Sequence, residues 1–311
     1  MYVKQTQNKR LLGILLASGG ATLWGVSGVI AQTLFHGEHA VTPAWLTAVR
    51  MTFAGILLLT YSALRHQQPL RVWQNKRAAL QQVLFGLLGL IPIQFFYFLA
   101  IRYGNAAVAT ILQFLGPIVI TLYYIVFHRQ LPSRAETIGM VFALVGAFFV
   151  VTHGQLTHLA VSPALLFWGL MSAVAVASST LLPRPLLPVY GAGPVNGWGL
   201  LIGGLAMNFI QPIWVGVPPL TPTRVLAISA VILFGTLLAF VMYAVSLLYI
   251  SPTTASLLDA FEPLAATVIS ITVLHIPFSW ADGLGGALII AAVVMLTMGY
   301  RMPKATEIDD S

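Results

Sequence analysis

FFYFLAIRYGNAAVATILQFLGPIVITLYYIVFHRQLPSRAETIGMVFALVGA, residues Phe95 to Ala147, aligns without a gap on VMYAVSLLYISPTTASLLDAFEPLAATVISITVLHIPFSWADGLGGALIIAAV, residues Val241 to Val293. The matches include Tyr97 with Tyr243, Tyr103 with Tyr249, Ala109 with Ala255, Pro117 with Pro263, Thr121 with Thr267, Ser133 with Ser279 and Gly139 with Gly285. Polar and special residues in register carry more weight than matched Leu or Val, which an apolar composition supplies unaided. Upstream the correspondence thins to Pro43 with Pro194 and Ser27 with Ser178. Both stretches belong to a chain of apolar runs, divided by short polar punctuation, that read as membrane-spanning helices. Each copy extends over five spans, an odd number, so the two copies face opposite ways in the bilayer. Inverted repeats enclosing a site at the bilayer midplane are a recurring plan of secondary transporters. Duplication without transport is the competing explanation.

Composition places those spans in lipid. Of 311 residues 58% are hydrophobic and 7% charged, against about 25% charged in soluble domains. A soluble fold of this length would have to bury the surplus apolar surface beneath an exterior it lacks the charges to build. The expected fold class is therefore all-α and polytopic, with ten transmembrane helices. A span needs roughly 20 mostly apolar residues. Polar punctuation divides the chain at Leu11 to Thr33, Ala44 to Leu64, Ala79 to Arg102, Ala106 to Phe127, Ala135 to Thr152, Pro163 to Leu182, Pro194 to Val215, Val225 to Tyr249, Thr253 to His275 and Trp280 to Tyr300. Residues 1–152 form one five-helix repeat, 153–300 its inverted counterpart, and 301–311 a tail. The longest hydrophilic connection, Arg65 to Ala78, is too short to fold as a domain. The basic start at Lys4, Lys9 and Arg10 imitates a signal peptide, but its apolar run exceeds the usual 7 to 15 residues, so it reads as an uncleaved first helix. Zero Cys excludes disulfides, thiolate nucleophiles and cysteine-bound zinc.

The net charge of +7 is an orientation signal. Lys4, Lys9, Arg10, Arg65, Arg71, Lys76, Arg77, Arg129, Arg134, Arg184, Arg301 and Lys304 share one side, against Arg102 and Arg224 on the other. The positive-inside rule puts both termini in the cytoplasm of a multi-pass cell-membrane protein. The same charge attracts anionic lipid. Nucleic acid is excluded as a partner, since no basic patch interleaves with aromatics on a folded surface. Glu307, Asp309 and Asp310 form a solvated acidic end.

Trp24-Gly25 in the first span, Arg50 followed by Ala54 in the second, the Pro117 helix, and Glu262-Pro263 in the ninth resemble the EamA branch of the drug/metabolite transporter superfamily. The resemblance covers essentially the whole chain, through its architecture of two inverted five-helix halves more than through one motif. It implies export or exchange of small metabolites, amino acids among them. Many members carry a Gly-Glu pair at the cytoplasmic exit of the fourth helix and its counterpart in the ninth. Those places here read His128-Arg129 and Leu274-His275.

Three ionisable residues lie well inside spans: Arg50, Asp259 and Glu262. Each charge at a helix centre costs about 2.5 to 3.5 kcal/mol, so three unpaired ones would cost on the order of 8 to 10 kcal/mol. At about 1.5 Å per residue Arg50 sits about 21 Å from the inner face, Glu262 about 14 Å and Asp259 about 9 Å. The smaller gap pairs Arg50 with Glu262, as a gate or as a structural lock. Asp259 remains the freer carboxylate, opposite Gln113 in the repeat, and binds a proton or a substrate amino group on this reading. A plain hydrogen bond from Ser256 to Asp259 is its rival. Gln94 and Tyr97 share one helix face, and Tyr243 repeats Tyr97. Rings with a polar handle suit a cavity that holds both parts of a solute. Trp24 and Trp168 are candidates for the same wall, or for the interfacial aromatic belt. Pro92, Pro117 and Pro263 interrupt helices near mid-depth, where breaks surround binding sites or mark packing kinks. Gly139, Ala143 and Ala147, and Gly283, Ala287 and Ala291, read as helix-packing stripes.

An intramembrane hydrolase is the rival from another class. Gly25-Val26-Ser27-Gly28 spells the pattern of a rhomboid-like serine, but every histidine falls in a loop or at a helix end, leaving no base beside it. Neither a zinc-binding His-Glu-x-x-His nor a phosphate-binding glycine loop is present. The chain thus reads as a carrier and not an enzyme, without a bound cofactor or metal. It exports an amino acid or related solute by alternating access, with protons as a candidate second cargo. A channel-like pore is the alternative, and monomer and homodimer both fit.

Overall fold

A computed structural model describes residues 2–129, 131–155, 160–250, 254–255 and 258–299, and all structural statements concern these. The described residues are helical, with no strand among them. The principal elements are α1 (Tyr2–Leu34), α2 (Pro43–Leu64), α3 (Lys76–Tyr103), α4 (Ala106–His128), α5 (Arg134–Thr152), α6 (Pro163–Leu181), α7 (Ala192–Ile210), α8 (Pro222–Ser246), α9 (Phe261–Thr272) and α10 (Trp280–Gly299). Six of these (α1 from Lys9 on, α2, α3, α4, α6 and α8) are long and apolar enough to cross a membrane. Thr137–Thr152, Phe261–Thr272 and Trp280–Met295 are shorter apolar stretches. The tail, Ser256 and the expected start of the ninth span at Thr253 lie outside the described residues.

Helix starts follow from local chemistry. Thr42, Ser162 and Thr221 accept the orphan N–H groups of Trp45, Leu165 and Arg224, and each is followed by a proline whose missing N–H costs nothing at that place. Asn75 and Asn105 cap α3 and α4 in the same way. Several expected boundaries move: α1 and α3 begin earlier, at Tyr2 and Lys76, and α9 ends at Thr272 instead of His275. The seventh span ends at Ile210, not Val215, because Gln211 precedes Pro212 and is extended (φ −141°, ψ 98°). The eighth begins three residues early, at Pro222, on its Thr221 cap.

Packing is crosswise. α1 lies against α8 and α9, while α6 lies against α3 and α4; α2 pairs with α7 and α5 with α10. Glycines permit the closest crossings. Leu201 fills the space beside Gly55, leaving a side chain there no room, and Gly146 and Gly285 each meet the other's carbonyl. In lipid such contacts hold helices together by van der Waals packing, since no hydrophobic effect separates them from the bilayer. The α5 stripe runs through buried Gly139 and Ala143 to Gly146. On α10 the contact stripe is Gly285, Ile289 and Ala292; Ala287 is exposed, so the expected stripe is displaced by two residues or less. Two residues are about 200° around an α-helix, so at its first two positions the contact lies on the side of α10 away from Gly283 and Ala287.

α3 and α8 each contain a π-helical turn, Phe85–Leu90 and Leu233–Leu238. Such turns widen a helix locally and occur disproportionately at functional sites. Pro92 follows the first. It cannot serve the carbonyl of Leu88, four residues earlier, and the Ser178 hydroxyl of α6 donates to that oxygen at 2.8 Å.

Candidate functional site

Two interrupted helices meet in the middle of the bundle. α4 breaks at Phe114–Leu115, just before Gly116-Pro117, and a turn at Asp259–Ala260 precedes α9, whose third residue is Pro263. A proline cannot donate to the carbonyl four residues back, which loosens the preceding turn in both helices. The first part of α4 packs against α9, bringing the two breaks together. The ninth span is therefore discontinuous rather than a single helix from Thr253 to His275.

Asp259 sits in that turn. Tyr243 of α8 donates its phenol hydrogen to Asp259 Oδ2 at 3.3 Å, while Oδ1 is buried with no hydrogen-bond partner among the described residues. Trp24 of α1 covers this corner, with ring centroids 5.5 Å from Tyr243 and 5.3 Å from Phe240. Backbone meets backbone beside it: a side chain at Gly25 would strike the Glu262 carbonyl and lie 3.0 Å from the Ala266 nitrogen.

Arg50 lies on the other flank, 5% exposed. Its Nε donates to Thr236 Oγ1 at 2.6 Å and its Nη2 to the Gly235 carbonyl at 3.3 Å. Its guanidinium carbon stands 5.1 Å from the Phe98 ring centroid. This corrects the expected direct pairing with Glu262: no ion pair joins them, although each lies within electrostatic range of the other. Depth along straight helices named the nearest opposite charge. The π turn of α8 instead presents a hydroxyl and a carbonyl to the guanidinium, and those neutral acceptors take its hydrogens. Glu262 is half-buried and also within electrostatic range of Asp259 and Tyr97.

Tyr97 is 7% exposed, with its hydroxyl 2.8 Å from Thr110 Oγ1. Thr110 gives its only hydrogen to the Ala106 carbonyl at 2.7 Å, so Tyr97 must be the donor of the pair. Gly28 makes the space that the phenol oxygen occupies. Gln94 is buried and Gln113 half-buried, neither with a side-chain hydrogen bond to a described residue. Trp168 does not join the wall formed by Trp24 and Tyr243. Its rings contact Phe96 at 5.2 Å and Phe167 at 4.9 Å, a separate aromatic cluster between α3 and α6.

The structure thus brings Trp24, Arg50, Tyr97, Tyr243, Asp259 and Glu262 around the two breaks. Thr236 and Thr110 belong to the same network and were missed from sequence. Thr110 stood opposite Ser256 in the repeat and was visible there, whereas Thr236 carried no signal. A buried acid was also missed: Asp282, 6% exposed at the start of α10. Its Oδ2 accepts from the Ser279 N–H at 2.9 Å, Ser279 Oγ accepts from its own N–H at 3.2 Å, and its Oδ1 meets His153 Nε2 at 3.0 Å. Ser279-x-x-Asp282 is a capping-box pattern, so the sequence did hold that signal.

The profile of the EamA-like transporter family matches residues 11–152 and again residues 164–298. Among named proteins, the uncharacterized inner membrane transporter YicL of Salmonella typhimurium is 34% identical over 296 residues, covering 94% of this chain and 96% of its own. Protein PecM of Dickeya dadantii is 26% identical over 221 residues, covering 69% and 73%. A solved crystal structure covers 95% of this chain and 97% of its own with a TM-score of 0.59 at 20% identity, a likeness of fold.

Proposed function

Because the chain belongs to the EamA-like transporter family, a membrane transporter of the drug/metabolite type and not an enzyme, we propose that it exports a small organic solute, an amino acid or related metabolite, by alternating access. On this reading it has ten spans in two inverted halves, residues 1–152 and 153–300, with both termini and the tail 301–311 in the cytoplasm. The crosswise packing of α1 on α8 and α9, and of α6 on α3 and α4, supports the division, because those pairs are the ones an internal two-fold axis would exchange. Rocking one half against the other then opens the space between the two breaks to each side in turn.

The observation that carries the reading is the buried Oδ1 of Asp259, without a hydrogen-bond partner among the described residues, in a turn of broken helix. A polar atom out of water without a partner is unfavourable, and such an atom in a transporter's core supports a role in receiving cargo. Charge economy points the same way. Two carboxylates, Asp259 and Glu262, share the region with one guanidinium, Arg50, so these side chains together carry a surplus negative charge when all three are ionised. A proton or the cationic group of a solute compensates it.

Counterflow in proteoliposomes tests this, with pooled amino acids, metabolites and nucleotide sugars read by mass spectrometry. At least one solute is expected to exchange in wild type and to stop exchanging in Asp259→Asn. The wild-type rate should vary with pH if the compensating cation is a proton, and the Asn variant's residual rate should not. Unchanged exchange and an unchanged pH profile in Asp259→Asn would refute the assignment of that carboxylate.

A further inference from the structure

We infer that the chain carries a second binding site, independent of the transport reading, for the phosphate headgroup of an anionic phospholipid at the end of the bundle where α2 leaves and α7 begins. A cavity of about 290 Å³ lies there between the α2–α3 connection and the helical turn Leu187–Tyr190, lined by His66, Gln67, Gln68, Arg71, Val189 and Tyr190. Its polar groups are a guanidinium, an imidazole, two carboxamides and a phenol, the donor set that recognises a phosphate oxygen. No carboxylate opposes them. The sequence holds no Asp or Glu from His39 to Ala135, nor from Thr137 to Leu258, so neither wall can supply a counter-ion of its own. Arg65, Lys76 and Arg77 add to the positive potential nearby.

The cavity has a built floor. A side chain at Gly193, near the start of α7, would strike Gln67 Oε1 and come within 2.5 Å of Ser62 Oγ, so glycine is what lets Gln67 settle against α7. Ser62 Oγ is fully buried there with no hydrogen-bond partner among the described residues. The volume is at the lower bound of small-molecule pockets, about 300 Å³, which fits a headgroup better than a bulky metabolite.

Two observations select a lipid as the source of the phosphate. Trp73 and Trp198 stack edge to face at 5.0 Å beside the cavity, and Trp198 Nε1 donates to the Pro69 carbonyl at 2.7 Å. Tryptophans with one wet edge mark the headgroup level of a bilayer. Around the mouth, Leu64, Leu70 and Val189 are 74%, 67% and 53% exposed, an apolar collar for acyl chains leaving a bound headgroup. Basic pockets between transmembrane helices are a known form of anionic headgroup site.

Native mass spectrometry of the delipidated full-length protein tests the site, using phosphatidylglycerol, phosphatidylethanolamine with the same acyl chains, and inorganic phosphate as probes. One phosphatidylglycerol should be retained in preference to phosphatidylethanolamine. Arg71→Gln should weaken that binding about tenfold, the effect of one lost charge-assisted bond. Arg224→Gln, at the opposite end, should leave it unchanged. Arg71→Lys keeps the charge but loses the planar fork, so it should bind with intermediate affinity, and it carries the test if the Gln variant does not fold. Equal retention of the two lipids, or wild-type affinity in both Arg71 variants, would overturn the site. Inorganic phosphate that binds as tightly as phosphatidylglycerol and displaces it would overturn the lipid as occupant.

Discussion

Replacing Thr236 by valine removes one oxygen and almost nothing else. Thr236 is fully buried in the π turn of α8, where its hydroxyl accepts from Arg50 Nε at 2.6 Å and donates to the Val231 carbonyl at 3.1 Å. A hydrogen bond to a charged group contributes about 1.5 to 3 kcal/mol, and a neutral one about 1 kcal/mol. Arg50 keeps its bond to Gly235 O and its contact with the Phe98 ring, the latter worth about 2 kcal/mol when desolvated, so the guanidinium is weakened rather than stranded. The expected loss is about 2 kcal/mol, roughly thirtyfold in the folding equilibrium. Unfolding in mixed detergent, followed by far-ultraviolet circular dichroism, measures it. The decisive quantity is the coupling in a double-mutant cycle of Thr236→Val with Arg50→Met, expected at about 1.5 kcal/mol or more because the two side chains touch. Thr236→Ser should recover most of the loss. A coupling within about 0.5 kcal/mol of zero, with no rescue by serine, would show that Arg50 is not held as described.

Three further outcomes follow from the same contacts. Gly25→Leu should abolish transport and broaden the gel-filtration profile, because α1 and α9 touch through their backbones, while Gly286→Ala, with 3.4 Å of clearance, should behave as wild type. Tyr97→Phe deletes a donor but leaves Thr110 bonded to Ala106 O, so melting should shift by no more than about 1 kcal/mol; a counterflow loss well beyond that would mark the phenol as part of the cargo site. His153→Ala should change stability by less than about 1 kcal/mol, since His153 is part-exposed and Asp282 keeps its Ser279 bonds; Asp282→Ala, which removes the carboxylate half of the capping box and leaves the Ser279 N–H without its acceptor, should cost about 1 kcal/mol or more in the same unfolding assay.

Much of the fold was readable because lipid imposes strong rules. Apolar runs of fixed length had to be helices, whereas the caps at Thr42, Ser162 and Thr221 went unread, and the eighth start was placed at Val225 instead of Pro222 for that reason. The site was readable where chemistry is costly in lipid: Arg50, Asp259 and Glu262 drew attention by charge alone. Partner choice was not readable. Arg50 was assigned to Glu262 by counting 1.5 Å steps along straight helices, and the π turn of α8 broke that premise by placing Thr236 and Gly235 against the guanidinium. Trp168 failed for a related reason. Its place near a helix end fitted either wall or belt, and only packing against Phe96 and Phe167 decided its neighbours.

The interruptions themselves explain why the charged residues gather where they do. Inside a bilayer a broken helix exposes N–H and C=O groups that lipid cannot satisfy, so non-helical backbone persists only where protein or a water-lined cavity surrounds it. The breaks of α4 and α9 meet each other, and each precedes a proline that prevents its repair into regular helix. The backbone polarity released there lowers the penalty for a carboxylate at the same depth, and Asp259 occupies one break itself. Had the helices been continuous, Asp259 would face apolar neighbours and need a full counter-charge. With the break, a single phenol hydrogen from Tyr243 satisfies one oxygen and leaves the other available. The prolines therefore act on the site through the backbone rather than by contact. Pro263→Ala should tighten α9, raise thermal stability and slow counterflow together, whereas a purely packing role for the kink would lower stability and leave no such opposition between the two readouts.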